Sequence, residues 1–465
     1  MRRVAGSPER QLGIVVGIAF LVRLAWVFHA HRNAAVGDPY AYQWLGNRLS
    51  CGYGYENHAA FLENQAKLIA SGGAVDRITD CDTTGPLPPT AFYAIGYPLF
   101  LAMLFASARL IGVGSENQDL VFGFAHVLLG AMTVYLVARI AQRLFTPTVA
   151  IAAAVIVAFW PSLIMMTATA HLETLYLFLL VFAVHILLPP LDKRFELKRS
   201  RLVAGAVVLG IAAQVRPLVF LVLPAILIAF RHKPQSWRNA LGHTLLVALV
   251  MAAVVAPWTI RNAITMPGFV AMTTGSGDAL CISRHVDASP KFQFNSPGCL
   301  HDIPGAEWDV VEVEKNKENT SRAISWVIHH PIAEVEMWFR RGYYALRDDH
   351  EARLALEAPG SPALWSKGVG GAVDRVADGW YFAVLILAAI GVKSFVRDGR
   401  GGTRLILGFA AAGLVVPFLL FGDPRYKVPM FPFVAIIAAI GIDCIRSQRD
   451  TVAPITSDPG EMNIR

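Results

Sequence analysis

Apolar stretches of about twenty residues recur along this chain, and nothing limits its possible folds more. They cover roughly 11–31, 92–112, 119–138, 147–166, 174–190, 202–215, 217–230, 240–258, 376–392, 404–421 and 428–444. A bilayer core about 30 Å thick is crossed by about 20 helical residues. In lipid, every backbone polar group must be paired within the segment, so a helix is the natural form. The segments 202–215 and 217–230 are short for that thickness and read as a shallow hairpin bent at Arg216-Pro217. Of 465 residues, 55% are hydrophobic and 16% charged, against about 25% charged in a soluble domain. That is too little charge to coat a soluble protein of this size. The class is therefore an all-α polytopic membrane protein. A net charge of +7 does not argue for nucleic acid, because basic residues also mark cytoplasmic loops.

Those basic residues orient the chain. Clusters occur at Arg139/Arg143, at Lys193, Arg194, Lys198, Arg199 and Arg201, at Arg231, Lys233 and Arg238, and at Lys393, Arg397, Arg400 and Arg404. Arg446 and Arg449 follow the last run. If every apolar segment crosses, most clusters fall outside. If 92–112 does not cross, all fall in the cytoplasm with the N-terminus. The segment 92–112 is thus expected at the outer interface or against the bundle, leaving about ten spans. Arg2, Arg3 and Arg10 precede the first run, but no small-residue cleavage site follows and Arg23 interrupts it, so it reads as an uncleaved span.

The expected layout is a cytoplasmic N-terminus and first span (1–31), a first extracytoplasmic loop (32–118), a bundle (119–258), a second extracytoplasmic loop (259–375), C-terminal spans (376–444) and a cytoplasmic tail (445–465). Both termini lie inside a plasma membrane. Four of the five cysteines then fall outside, Cys51 and Cys81 in the first loop and Cys281 and Cys299 in the second. Three connectivities are open to them, and pairing within each loop is the simplest. Cys444 is left at a cytoplasmic helix end. No Cys-x-x-Cys zinc pattern is present.

The same layout gathers unusual polar residues outside. Asp38 directly follows the first span, in "GDPYAYQWLGNRLSCGYGY" (37–55). One reading is a helix cap, since Pro39 suits a first turn. The other is a general base, an acid at the membrane edge amid Tyr40, Tyr42, Trp44, Tyr53 and Tyr55. Glu173 opens another outer helix end, where a helix-dipole role competes with binding a sugar hydroxyl, a metal or an acceptor. Arg216, Arg261, Arg425 and Lys427 sit at outer ends. Snorkelling would explain any one of them, whereas together they suit a phosphate at the membrane edge.

The opening stretch resembles the first outer loop of GT-C-type integral membrane glycosyltransferases. It is most similar to the polyprenyl-phosphate-dependent group that includes protein mannosyltransferases and lipid A aminoarabinose transferases. Further matches follow in family order: "PPTAFYAIGYPLFLAML", "TAHLETLYLF", "AAQVRPLVFLVLP", "APWTIRNA", "MTTGSGDAL", "AISWVIHHP" and "DPRYKVPMFPFVAIIAA". They run from Arg23 to about Gly441. The chain departs from protein mannosyltransferases in having Asp38-Pro39 where they carry Asp-Glu, and in lacking an inserted soluble sugar-binding domain.

The resemblance implies a GT-C-like bundle whose first loop holds membrane-parallel helices. It implies transfer of a sugar from a polyprenyl-phosphate donor to an extracytoplasmic cell-envelope acceptor, with inversion. Asp38 would be the base. Tyr40, Tyr42, Tyr55, Tyr97 and Glu173 would bind sugar or acceptor, and Arg216, Arg261, Arg425 and Lys427 the donor phosphate. No cofactor is required, although a divalent cation is admitted. The expected partners are the lipid-linked donor, the acceptor and membrane lipid. The competing readings are a transporter or flippase for an anionic or lipid-linked substrate, favoured by Arg23 within a span, and a structural subunit of an envelope-assembly complex.

Overall fold

The computed structural model describes residues 7–31, 37–56, 81, 87–188, 198–231, 237–293, 296–357 and 363–452. Arg2, Arg3, Lys193, Arg194, Lys233 and the tail beyond 452 lie outside the described residues. The described residues form helices, with one isolated antiparallel bridge between Glu56 and Pro89.

The first helix is α1 (Pro8–Ala30), capped by the Ser7 side chain. Next come α2 (Asp38–Ser50) and α3 (Gly96–Leu110), then α4 (Gln118–Leu144), α5 (Pro147–Ala158) and α6 (Pro161–Met165). The central helices are α7 (Glu173–Leu187), α8 (Arg199–Val215), α9 (Leu223–Phe230) and α10 (Trp237–Thr265). The second loop carries α11 (Gly275–Cys281), α12 (Trp308–His329), α13 (Pro331–Leu346) and α14 (Glu351–Leu356). The chain closes with α15 (Lys367–Asp398), α16 (Gly401–Leu419) and α17 (Phe431–Val452).

This is a multi-pass membrane protein, but length and composition alone do not return the expected count of about ten spans. Among the described residues, six helical stretches are long and apolar enough to cross, or seven if the bent pair α5–α6 is one span. The Glu173–Leu187 and Pro217–Phe230 stretches are apolar but shorter. Pro217 starts a 3-10 turn that runs into α9, which confirms a break at Arg216-Pro217. The longest contact is α15 against α17, where Gly391 and Gly441 face each other so closely that a Cβ on either would strike the other helix's backbone. Small residues allow such approach, and lipid supplies no competing hydrophobic drive.

Two poles emerge. At one, Arg139 pairs with Glu9 at 2.8 Å. Arg143 donates to the carbonyls of His185 at 2.5 Å and Leu188 at 3.2 Å. Arg400 reaches the Leu144 carbonyl at 2.6 Å, and Arg404 that of Arg231 at 3.3 Å. The chain thus returns to one end with its basic clusters. Both ends of α3 sit at the other pole. Its first residue, Gly96, lies against the backbone of Gln214 and Val215 at the end of α8. Near its last turn, Arg109 donates to Asn47 and Ser50. Asn47 in turn accepts from Gln118 at the start of α4, at 2.9 Å. A helix touching the same bundle end at both termini lies across that end.

Arg23 has a structural account. Trp160-Pro161 interrupts α5–α6 with a 58° bend, which frees carbonyls in apolar surroundings. The buried Arg23 guanidinium donates to Ala158 O at 2.9 Å and Val157 O at 3.1 Å. Trp26 Nε1, on the same helix, donates to Met165 O at 3.0 Å. The two disulfides, Cys51–Cys81 and Cys281–Cys299, join within each loop, and Cys444 is free.

Candidate active site

The site grows from two parallel helices. Along α2 and α3, Tyr42 meets Tyr97 edge-on at 5.2 Å, and Gly46 meets Leu101 so tightly that a Cβ there would lie 2.7 Å from Leu101 Cβ. The same offset places Tyr93 beside Asp38. Gly37 turns the chain into α2 with φ 68°, a conformation that favours glycine. Asp38 is then the first residue of α2, and the cap position is held by Gly37. Its carboxylate is turned inward: Oδ1 accepts from Tyr93 Oη at 2.9 Å, and Oδ2 from Arg425 Nη1 at 3.2 Å. Burial, and then the Asp38 charge, raise the Tyr93 phenol well above its ordinary pKa, so it stays protonated and donates.

Arg425 comes from a 3-10 turn, Pro424–Met430. Asp423 caps that turn by accepting from Arg425 N at 2.8 Å, and its carboxylate also takes Arg425 Nη2 at 2.9 Å and Nε at 3.2 Å. Burial alone would raise the Asp423 carboxyl, but the Arg425 contacts outweigh it and hold the group below its ordinary range. One guanidinium therefore bridges two carboxylates that come from opposite ends of the chain.

Beside it lies a second pair. Arg216 Nη2 donates to Glu173 Oε1 at 2.9 Å, and the guanidinium also faces the rings of Tyr426 at 5.3 Å and Tyr176 at 5.8 Å. Arg216 Nη1 and Glu173 Oε2 are buried without a partner among the described residues. His171, also buried here, bonds Thr169 Oγ1 at 2.8 Å, and burial lowers it to about 4, so it is neutral at pH 7. A small cleft opens from Arg216, Tyr176 and Tyr426 onto Leu180, Val222, Phe409 and Val416. Its head is cationic and polar and its walls are apolar.

The residues expected from the sequence divide. Asp38, Tyr42, Glu173, Arg216 and Arg425 share one neighbourhood. Tyr97 lies behind it, fully buried, its hydroxyl 3.1 Å from His126 Nε2. Tyr40 and Tyr55 belong to a separate packed cluster with Trp44, Leu45 and Trp258. The expectation that four cations converge is corrected. Arg261 holds the carbonyls of Thr90 and Tyr55, each at 2.7 Å, and stacks on Trp258. Lys427 is fully buried on the far side of its turn, where it donates to Ala345 O and Asp348 O and lies 3.5 Å from Asp349. Two residues apart in a 3-10 turn point about 120° away from each other, so Arg425 and Lys427 cannot face one site.

Two participants were missed, Tyr93 and Asp423. A signal for Asp423 was present: Gly-Asp-Pro occurs at 37–39 and again at 422–424. Tyr93 had none beyond lying in "AFYAIGYP". Among the described residues, no group of three or more His, Cys, Asp and Glu side chains is placed to hold a metal.

A family model described as dolichyl-phosphate-mannose-protein mannosyltransferase matches residues 97–260. No curated protein matches the chain. Among solved structures, it is similar to the archaeal oligosaccharyltransferase AglB from Archaeoglobus fulgidus, in complex with an inhibitory peptide and a dolichol-phosphate. That match has TM-score 0.52 and 11% identity, covering 96% of this chain and 52% of the other. The same enzyme in complex with Zn and sulfate gives TM-score 0.51 at 13% identity, covering 95% and 50%. The chain thus spans about half the length of these structures. ArnT from Cupriavidus metallidurans bound to undecaprenyl phosphate gives TM-score 0.39 at 14% identity over 96% and 80%, too loose an overlay to transfer anything. The family model and the AglB fold both agree with the GT-C resemblance carried by the sequence motifs.

Proposed function

We propose that this protein is a membrane glycosyltransferase that moves a sugar from a polyprenyl-phosphate donor to a hydroxyl of a cell-envelope glycan, lipid or protein. The site faces the extracytoplasmic side and both termini face the cytoplasm. The observation that carries the reading is Asp38, a carboxylate 38% exposed at its side chain and held between Tyr93 and Arg425 at the pole opposite the basic clusters. That placement lets an acid meet a donor anchored in the bilayer.

In the proposed step, an Asp38 carboxylate oxygen takes the proton of the acceptor hydroxyl as that oxygen attacks the anomeric carbon. The bond from that carbon to the phosphate oxygen breaks, and its electron pair leaves on the phosphate. Attack opposite the leaving group inverts the anomeric centre. Arg425 and Arg216 stand where negative charge develops on the phosphate. Arg216 Nη1, buried and unpartnered among the described residues, is a ready donor for it. Leu180, Val222, Phe409 and Val416 beyond Arg216 offer apolar contacts of the kind an isoprenoid chain would use. Tyr42 and Glu173 are placed to bind the sugar or acceptor. Arg261 and Lys427 serve this reading as scaffold, since they hold loop carbonyls rather than standing beside Asp38.

The step drawn uses no cofactor, and a chelator arm in the assay reads whether a divalent cation assists. Arg23, the feature that favoured a transporter, is occupied with backbone carbonyls. The test is purified protein in nanodiscs, supplied with a panel of radiolabelled polyprenyl-phosphate sugars and an envelope extract. Transfer of label to the extract with release of polyprenyl phosphate is expected. Movement of intact lipid-linked sugar across proteoliposomes without transfer would support a flippase instead.

A further inference from the structure

Tyr93 sits in a bend after a short run from Pro89, and the second outer loop fixes that run. Thr90 N donates to Tyr55 O at 3.1 Å. Arg261 donates to Thr90 O at 2.7 Å. Ala91 N donates to Glu312 Oε1 at 2.8 Å, and Ala91 O accepts from Thr274 N at 2.9 Å. Phe92 N donates to Thr90 Oγ1 at 3.1 Å, and Phe92 O accepts from Gly275 N at 3.3 Å. Every backbone polar group from Thr90 to Phe92 is therefore engaged. Gly275 is required by this approach, because a Cβ there would lie 2.9 Å from Phe92 O.

At the centre is Glu312 of α12, 2% exposed. Beyond Ala91 N, its carboxylate accepts from Thr90 Oγ1 at 2.7 Å and Thr274 Oγ1 at 2.5 Å. It binds first loop, second loop and α12 into one unit. An apolar residue would leave three buried donors without an acceptor. Fixing a buried carboxylate this way is costly, and fold stability does not by itself require it at a loop junction. What the junction does fix is the position of the next hydroxyl, Tyr93 Oη, 2.9 Å from Asp38.

We propose that Glu312 is a positioning residue: by locking Thr90–Phe92 to the second outer loop, it sets Tyr93 against Asp38 and so aims the base. This rests on the reading of Asp38 as base. Glu312→Ala should lower kcat by about 10- to 100-fold, the range in which misplacement of about 1 Å acts, with donor KM unchanged. Glu312→Gln keeps an acceptor oxygen and should restore most of the rate. Tyr93→Phe should give a similar loss, and Tyr93→Phe combined with Glu312→Ala should lose little more, because both break one path.

A second measurement is independent of turnover. With 3-fluorotyrosine in place of Tyr93, its ¹⁹F resonance should move on Asp38→Asn. It should move in the same sense on Glu312→Ala and stay in place on Glu312→Gln. An unmoved resonance in folded Glu312→Ala, or losses in kcat that simply multiply in the double variant, would overturn the inference. Full turnover by Asp38→Asn would instead remove the base reading, while the ¹⁹F result would still decide whether Glu312 places Tyr93.

Discussion

Replacing Asp38 by asparagine separates chemistry from architecture. The structural cost is small. Gly37 holds the cap position of α2, and asparagine at 38 can still accept the Tyr93 hydroxyl through its amide oxygen. What is lost is the Arg425 contact at 3.2 Å, on a side chain 38% exposed. An ion pair so open to solvent contributes at most about 1 kcal/mol. Arg425 is not orphaned, because Asp423 keeps its three contacts. The catalytic cost is larger. An amide takes no proton at neutral pH, and general-base catalysis contributes about 10²- to 10⁴-fold. That is about 3–5 kcal/mol of barrier, several times the stability change. The assay is initial rate against donor concentration in nanodiscs, with thermal unfolding of the same preparation. Turnover should collapse while the midpoint barely moves and donor KM stays nearly constant. Near-normal turnover in a folded Asp38→Asn protein would refute the reasoning and make Glu173 the first alternative.

Arg216→Lys keeps one charge but cannot both hold Glu173 and present a free donor, so affinity for polyprenyl phosphate alone should fall about 10- to 100-fold. Unchanged binding would remove Arg216 from the phosphate site. Arg23→Leu strands the Val157 and Ala158 carbonyls, so detergent-solubilised protein should lose about 1–3 kcal/mol per orphaned group yet keep its turnover per folded molecule. Lost turnover at normal stability would revive the transport reading. Opening the Cys281–Cys299 link, which closes a separation of 18 residues, should cost about 3 kcal/mol in the chain-entropy model, read as a lower midpoint after reduction. A cysteine at Gly114 should label from outside and one at Ser200 from inside. Labelling at Gly114 from the cytoplasmic side would overturn the non-crossing position proposed for 92–112.

The sequence by itself determined the class, because recurring runs of apolar residues in a chain only 16% charged have few alternatives to membrane helices. It also pointed to Asp38, Arg216, Glu173 and Arg425, since polar residues at apolar-run boundaries stand out in a list. The division of the cysteines between loops made pairing within each loop the simplest of three connectivities, and the fold decided for it. Tertiary structure decided what those residues touch. Asp38 meets Tyr93 across 55 residues and Arg425 across 387, separations that no local pattern encodes. Lys427 and Arg425 look equivalent in sequence, but a 3-10 turn sends one to Asp38 and the other to Asp349. Arg261 reads as a phosphate ligand by position, yet it holds the carbonyls of Thr90 and Tyr55 instead. Arg23 reads as a functional charge until a proline break over a hundred residues away supplies the carbonyls it satisfies. Periodicity and composition report how a segment meets its solvent. Which donor finds which acceptor depends on helix packing, and only the folded chain sets that.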